Sequence, residues 1–448
     1  MVNVLAGRLV VDDLGGVSWF ALRTPALPAA QLRVDPGISL AVDPVSPADP
    51  LGWSIDPGAD PAALGEVFSD PALVSLVAMS RADGPSIARC DCPTLPPTWA
   101  HRAHVAATAR WTLRPLDNGA LLLDEAMAES RCGRLALARR LFGYGEYALL
   151  ALGEQAVDGE LSSAATELVR AAMVAAVATG LGGEIADLAE QLIGVEEAHL
   201  SAALADWRAV DESVLVGAGT YAHDRAAPES DTAYVMADPT VLPPRILAWP
   251  GAARPEIRVD YRAGAYELRS RLAAGVDPWC AEATELLAYT VDETTGRLLG
   301  VAPVEAGPNG DLFAELPDRG EPGARAFGLF SAEIDPEQLR GTAFGRTGIE
   351  VDRELLEGWN FDRAAATRRH LTGDSPELTE LVIAAETAVG NARALVDDLL
   401  LDDHPDAVAR TLQARLEAID AYLAVLVDAE PRQGAVLLCE LIEPSEDW

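Results

Sequence analysis

Short apolar runs separated by turn-forming residues are the pattern of the first part of the chain, residues 1–118. Residues 38–42 form one such run, and the turn clusters at 35–37 and 56–58 each combine aspartate, proline and glycine. Because proline interrupts both helices and the interior of sheets, the pattern predicts a strand-rich and loop-rich N-terminal region. One helix is predicted within it, over residues 61–80, with a proline at its first position.

A helical period replaces this pattern over residues 119–226 and predicts an α-helical bundle of about four helices. Residues 162–179 are apolar on nearly all sides, which predicts a helix at the buried centre of the bundle. The next predicted helix, residues 183–207, has an apolar stripe that contains His199.

Alternation of apolar and polar residues returns over residues 227–334. Two apolar runs, 286–291 and 298–304, flank the turn-forming residues 292–297, which predicts two antiparallel strands joined by a turn. We expect the side chains of Leu287, Tyr289 and Val291 on the core face. Successive strand pairs at this spacing predict an antiparallel β-sandwich-like domain.

Residues 335–430 are predicted to be helical, and residues 375–428 within them form a predicted αα-hairpin. Ser375 is the expected N-cap of its first helix and Pro376 the first helical residue. Residues 431–448 are predicted to form a strand, at 435–442, followed by an acidic tail. The predicted fold class is therefore an α+β multidomain protein: a strand- and loop-rich N-terminal region, a helical bundle, an antiparallel β-sandwich and a C-terminal αα-hairpin.

The net charge and the basic residues of the chain exclude several classes of function. The 448 residues contain 34 Lys plus Arg and 70 Asp plus Glu, a net charge of −36, and all of the basic residues are arginine. Binding to nucleic-acid backbones or anionic lipid surfaces requires excess basic side chains, so we expect no nucleic-acid partner and no adsorption to anionic membranes. No window reaches the roughly 18 uncharged apolar residues of a membrane span, so we also expect no membrane insertion. The absence of lysine excludes Schiff-base and P-loop lysine chemistry. Codon usage biased towards arginine accounts for the absence, and avoidance of amine-directed tagging is the alternative explanation.

Cysteine usage and the first residues predict a cytoplasmic protein. The five cysteines are sparse and odd in number, unlike a secreted disulfide framework. Asp12 and Asp13 stand where the apolar part of a signal peptide would continue.

The acidic charge is concentrated near the C-terminus, where residues 374–448 hold 17 acidic and 4 basic side chains. We expect the outer faces of the αα-hairpin to carry the candidate docking residues Glu380, Glu386, Asp397, Asp398, Asp402, Asp403, Glu417 and Asp420. An acidic face attracts a basic protein partner; a merely solvated face is the alternative. The sequence predicts a non-enzymatic cytoplasmic protein-interaction or assembly protein, and it does not determine the oligomeric state.

A metal-dependent enzyme is the alternative function. Glu196 and His199 are three residues apart on a predicted bundle helix, as in di-iron carboxylate sites, but no second copy of that spacing occurs. We therefore predict no metal ligands beyond these two weak candidates, no catalytic residues and no cofactor.

Two further patterns are weaker still. Cys90 and Cys92 precede His101 and His104 and offer zinc-type ligands at a spacing unlike that of zinc fingers. The glycine motif at 217–222 lacks the following helix that a dinucleotide site requires.

Overall fold

The computed structural model describes residues 4–193, 232–248, 256–262, 264–273, 276–318, 324–336, 339, 343–373, 375–402, 404–427 and 436–443. Over these residues the chain forms thirteen helices and three antiparallel sheets. The mixed α+β class, the strand-rich N-terminal region and the helical C-terminal region are confirmed. None of the helices in the described part of the chain is both long and apolar enough to cross a membrane.

The N-terminal region contains a six-stranded sheet with the strand order β3-β4-β5-β2-β1-β6. Its strands are β1 (Val4–Val11), β2 (Val17–Ala21), β3 (Ala30–Asp35), β4 (Ile38–Val42), β5 (Pro50–Ile55) and β6 (Ser86–Pro93). Along β3, buried Ala30, Leu32 and Val34 alternate with exposed residues. One face of the sheet therefore belongs to the core.

The predicted single helix over 61–80 is wrong, because two helices occupy this stretch: α1 (Ala62–Phe68) and α2 (Pro71–Asp83). Ser69 ends α1 in a left-handed conformation with φ of 53°, and the Asp70 carboxylate caps α2. Pro71 has no N–H to continue the first helix, whereas it fits the first position of the second.

Trp19 is fully buried in the sheet core, and its indole Nε1–H donates to the carbonyl of Cys90 at 2.9 Å. Gly7 lies against the indole, and a Cβ at this position would lie 2.2 Å from the ring. Glycine is therefore required here by close packing between two strands.

We expect Gly7→Ala to lower the free energy of unfolding by about 1–3 kcal/mol, because the added methyl overpacks the core. Urea denaturation measures the difference. Gly143→Ala is the matched control: nothing lies within 4 Å of a Cβ there, and alanine in a helix should stabilise by about 0.5–1 kcal/mol. Equal effects of the two substitutions would contradict this account of Gly7.

Six helices follow: α3 (Pro97–Trp111), α4 (Asn118–Arg131), α5 (Leu135–Tyr144), α6 (Glu146–Asp158), α7 (Ser163–Ala178) and α8 (Glu184–Ile193). Buried residues of α4, α6, α7 and α8 form one cluster with residues 436–441. Val169, Ala172 and Met173 of α7 are fully buried in this cluster, but Val174 and Val177 are 50% and 37% exposed. The prediction that this helix is the buried centre of the bundle is therefore wrong, because one side of it faces solvent.

The strand predicted over 435–442 is wrong. Residues 438–441 instead form one helical turn, α13 (Leu438–Leu441), which contacts α4 and α7. A continuous apolar run suits a buried strand and a buried helix equally. Here the Glu440 carboxylate accepts the Leu437 N–H at 2.9 Å, which stabilises the start of a helical turn.

Two further sheets are built from residues 232–331, with strand orders β11-β10-β14 and β12-β13-β9-β8-β7. Their strands are β7 (Thr232–Met236), β8 (Glu256–Arg262), β9 (Ala265–Arg271), β10 (Leu286–Asp292), β11 (Leu298–Pro303), β12 (Glu305–Ala306), β13 (Asp311–Pro317) and β14 (Arg325–Ser331), with the short helix α9 (Ala281–Thr284) before β10. Residues of both sheets share one buried cluster. β10 and β11 pair antiparallel. Leu286 and Ala288 lie in the cluster that the two sheets share, whereas Tyr289 and Val291 are buried in a separate cluster with Phe330, and Leu287 is half-buried beside it. The prediction that Leu287, Tyr289 and Val291 form the core face between the sheets is therefore wrong, because both faces of β10 are covered.

Three long helices complete the fold: α10 (Ala343–Thr372), α11 (Pro376–Leu400) and α12 (Asp406–Val427). α11 packs on both α10 and α12. Their buried residues share a core with the N-terminal sheet. Hydrogen bonds cross this contact from Trp359 to the Pro44 carbonyl at 3.3 Å and from Arg415 to the Ala26 carbonyl at 3.2 Å.

Candidate functional site

The described candidate docking residues lie on the outer sides of α11 and α12, apart from Asp402, which lies in the turn after α11. The Ser375 hydroxyl accepts the Leu378 N–H at 3.2 Å and fixes the start of α11, so that its apolar stripe faces the core. The acids lie outside this stripe: Glu380, Asp398, Asp402, Glu417 and Asp420 are exposed, and Glu386 and Asp397 are half-buried. We call these seven residues the acidic helix face. The eighth candidate, Asp403, lies outside the described residues.

Arg393 neutralises part of this face. Its guanidinium pairs with Asp397 on the same helix and with Asp420 on α12, the latter at 2.7 Å. The hydrogen bond and charge of Asp420, then the charge of Asp397, raise the pKa of Arg393. The pair with Asp420 therefore links α11 to α12, and both acids are already paired, although the sequence predicted them as docking residues.

The other five acids of the face remain available to a partner. Glu380, Glu386, Asp398, Asp402 and Glu417 form no ion pair within the described part of the chain. Their negative charge is not compensated locally, so it creates an attractive field for cations.

A groove of about 400 Å³ adjoins this face, between residues 22–46 and α12. Glu417 lines the groove together with Ala418, Tyr422 and Val425 of the helix. Leu22, on the opposite side, is 48% exposed, and Val425 is 45% exposed. The groove thus combines accessible apolar side chains with a carboxylate.

Arg23 lies in the groove but is already paired. Its guanidinium is 2.9 Å from the Asp43 carboxylate and 3.8 Å from that of Asp49. Asp43 is buried and also accepts the Val45 N–H at 2.9 Å. Burial raises the pKa of Asp43, although the Arg23 charge opposes the change. Arg23 therefore does not neutralise Glu417.

A second polar cluster lies in the interior, where residues 436–443 meet the helices. The Asp124 carboxylate accepts the backbone N–H groups of Leu438 at 3.0 Å and Cys439 at 2.9 Å. Glu440 forms a two-point ion pair with Arg363 of α10, at 2.9 and 2.5 Å. Burial raises the pKa of Asp124 to about 7. Because Asp124 and Glu440 are buried, this cluster fastens the C-terminal segment to α4 and α10.

The metal-site candidates lie partly outside and partly within the described residues. Glu196, His199 and the glycine motif at 217–222 lie outside the described residues. Cys92 is buried, and burial raises its pKa to about 12; burial lowers the pKa of His101 to about 4. Within the described part of the chain, no three His, Cys, Asp or Glu side chains are grouped as a metal site requires.

Neither the groove nor the Asp124–Glu440 cluster was predicted from the sequence. The groove joins residues 22–46 to 414–425, and no motif marks either segment. Glu440 could have been noticed, because it is the one charged residue in the apolar run 435–442. A charge in such a run indicates a buried ion pair.

Comparison with protein-family models, with curated proteins and with solved structures found no significant match.

Proposed function

We propose that this chain is a non-enzymatic, cytoplasmic protein-interaction or assembly protein. Its acidic helix face and the adjoining groove bind a basic segment of a partner protein. The observation that carries the proposal is the position of Glu417, an uncompensated carboxylate that belongs to the acidic face and also lines the groove.

The chemistry of the site specifies the occupant. Uncompensated carboxylates favour arginine or lysine side chains and accelerate their approach, an effect that salt weakens. Leu22 and Val425 offer apolar surface to one aliphatic side chain of the same segment. The expected ligand is therefore a segment with basic residues on both sides of an aliphatic one.

A short fluorescent peptide with arginines on both sides of a leucine tests this site by fluorescence anisotropy, at low and high salt. Glu417→Gln combined with Asp398→Asn should weaken binding about fivefold at low salt, because two exposed charge interactions are lost. The difference should shrink at high salt. Glu154→Gln combined with Asp158→Asn is the matched control, since it removes the same charge from exposed positions on α6.

Equal weakening by the control would show that the peptide responds only to net charge, and the docking site would be rejected. A second peptide, with serine in place of leucine, tests the groove. We expect the serine peptide to bind the unaltered protein more weakly than the leucine peptide does. It should bind Val425→Ser as weakly as it binds the unaltered protein. If the two peptides bind alike, the groove takes no part in binding.

A further inference from the structure

Among the residues that the structure describes, strand β6 is an edge of the six-stranded sheet, since β1 is its only neighbour in the strand order. Residues 86–89 and Asp91 are exposed along this edge, and Ile87 is 74% exposed. Unpaired edge strands offer backbone N–H and C=O groups to an incoming strand. This edge is long, because β6 spans eight residues.

The register of the sheet shows which residues of β6 direct their backbone groups outwards. The Leu22 N–H donates to the Ala6 carbonyl at 2.9 Å, so the polar groups of Ala6 face β2 and those of Gly7 face β6. Gly7 is the partner of Cys90. Backbone groups alternate in direction along a strand. Cys90 therefore bonds inwards, and its neighbours Arg89 and Asp91 direct their backbone N–H and C=O groups to the edge. The Asp91 carbonyl there also accepts a weak hydrogen bond from the Cys90 thiol at 3.4 Å.

We propose that this edge binds β6 of a second copy of the chain, antiparallel, with the twofold axis at Cys90. In this register Arg89 lies opposite Asp91 of the second copy, and Asp91 lies opposite Arg89 of the second copy. Residues whose backbone N–H and C=O groups point away from the sheet then lie opposite each other in the two copies, so hydrogen bonds can form between the two strands. The contact is self-complementary, as a twofold interface requires.

The neighbouring registers lack this match. Centring the pair on Arg89 or on Asp91 places like charges directly opposite each other, which is unfavourable. Centring it on Ala88 places Arg89 opposite Ile87. Only the register centred on Cys90 forms two opposite-charge pairs.

The distribution of charge also favours a second copy at this position. Residues 1–120 contain 12 acidic and 8 basic side chains, a small part of the net charge of −36. The region that contains the N-terminal sheet therefore carries little of the negative charge by which two copies repel each other. This contact is independent of the acidic helix face.

Sedimentation velocity of the full chain over a range of concentrations tests the interface. The unaltered protein should dimerise, and Arg89→Asp or Asp91→Arg alone should weaken the dimer about 30-fold, since two favourable pairs become repulsive. An equimolar mixture of the two variants should dimerise again, because every facing pair is then opposite in charge. The double variant Arg89→Asp with Asp91→Arg should also dimerise.

These substitutions are at exposed positions, and circular dichroism checks that each variant is folded. A monomeric unaltered protein at all concentrations would overturn the proposal. So would single variants that dimerise normally, or a double variant that stays dissociated, because the register centred on Cys90 keeps both opposite-charge pairs after the exchange.

Cys90 provides a second readout. Facing residues that do not exchange backbone hydrogen bonds lie about 4.5 Å apart at Cα, within the range of a disulfide. Diamide, which oxidises two adjacent thiols to a disulfide and is itself reduced to the hydrazine, should give a covalent dimer on a non-reducing gel. Cys90→Ser should prevent it and each single charge variant should reduce it; cross-linking that persists in Cys90→Ser counts against the proposed axis.

Discussion

Glutamine in place of Glu440 should lower the free energy of unfolding by about 3–5 kcal/mol, because it leaves a buried arginine without its counter-charge. The side chains of Glu440 and Arg363 are only 1% and 11% exposed. Burial alone would raise the pKa of Glu440, but the charge and hydrogen bonds of Arg363 outweigh burial and lower it. Urea denaturation at neutral pH measures the loss.

Glu443→Gln is the matched control, since it makes the same chemical change at an exposed position of the same segment. We expect it to change stability by less than about 0.5 kcal/mol. Glu440→Gln combined with Arg363→Met should cost less than the sum of the two single substitutions, because no unpaired charge remains. Equal stability losses for Glu440→Gln and Glu443→Gln would show that the ion pair does not hold the C-terminal segment.

Acid should weaken the same contact. The pKa of Glu440 is lower in the folded than in the unfolded state, where it is near 4.5. The stabilisation from this pair is therefore present above pH 4.5 and is lost as the pH falls through the lower, folded-state pKa.

Patterns contained within one element could be predicted from the sequence. The strands on either side of residues 292–297 follow from local apolar runs, and the start of α11 follows from Ser375 and Pro376. Each signal depends on neighbours a few residues away, where backbone geometry fixes which side chains share a face.

Contacts between distant segments could not be predicted in the same way. An apolar stripe requires a partner but does not identify one, so nothing in α10 indicated that Trp359 would bond to the carbonyl of Pro44. Asp397 and Asp420 were predicted as free acids because their common partner, Arg393, is recognisable only once α11 and α12 are packed together. The groove has the same origin, because it exists only where α12 meets residues 22–46.

Asp124→Asn should change how stability depends on pH. Asp124 is only 1% exposed. Burial raises its pKa from 3.8 to about 7, against the lowering effect of the hydrogen bonds from Cys439 and Leu438. Between pH 4 and 7 the folded state therefore holds a proton that the unfolded state has released. Stability from this group should fall as the pH rises through that range, by up to about 4 kcal/mol, and stay level above it.

The difference in unfolding free energy between the unaltered protein and Asp124→Asn isolates this effect, since all other titrating groups are common to both. Asparagine cannot ionise. Its amide nitrogen cannot accept a hydrogen bond, so one backbone N–H of the C-terminal segment loses its acceptor, which lowers the free energy of unfolding by about 1–3 kcal/mol at any pH. The unaltered protein should therefore be more stable than the variant by the largest margin near pH 4, and the margin should shrink steadily to pH 7. Asp158→Asn, which makes the same chemical change at an exposed position on α6, is the matched control. A constant margin for Asp124→Asn would mean that Asp124 is ionised in the folded protein throughout, and that its two backbone hydrogen bonds outweigh its burial.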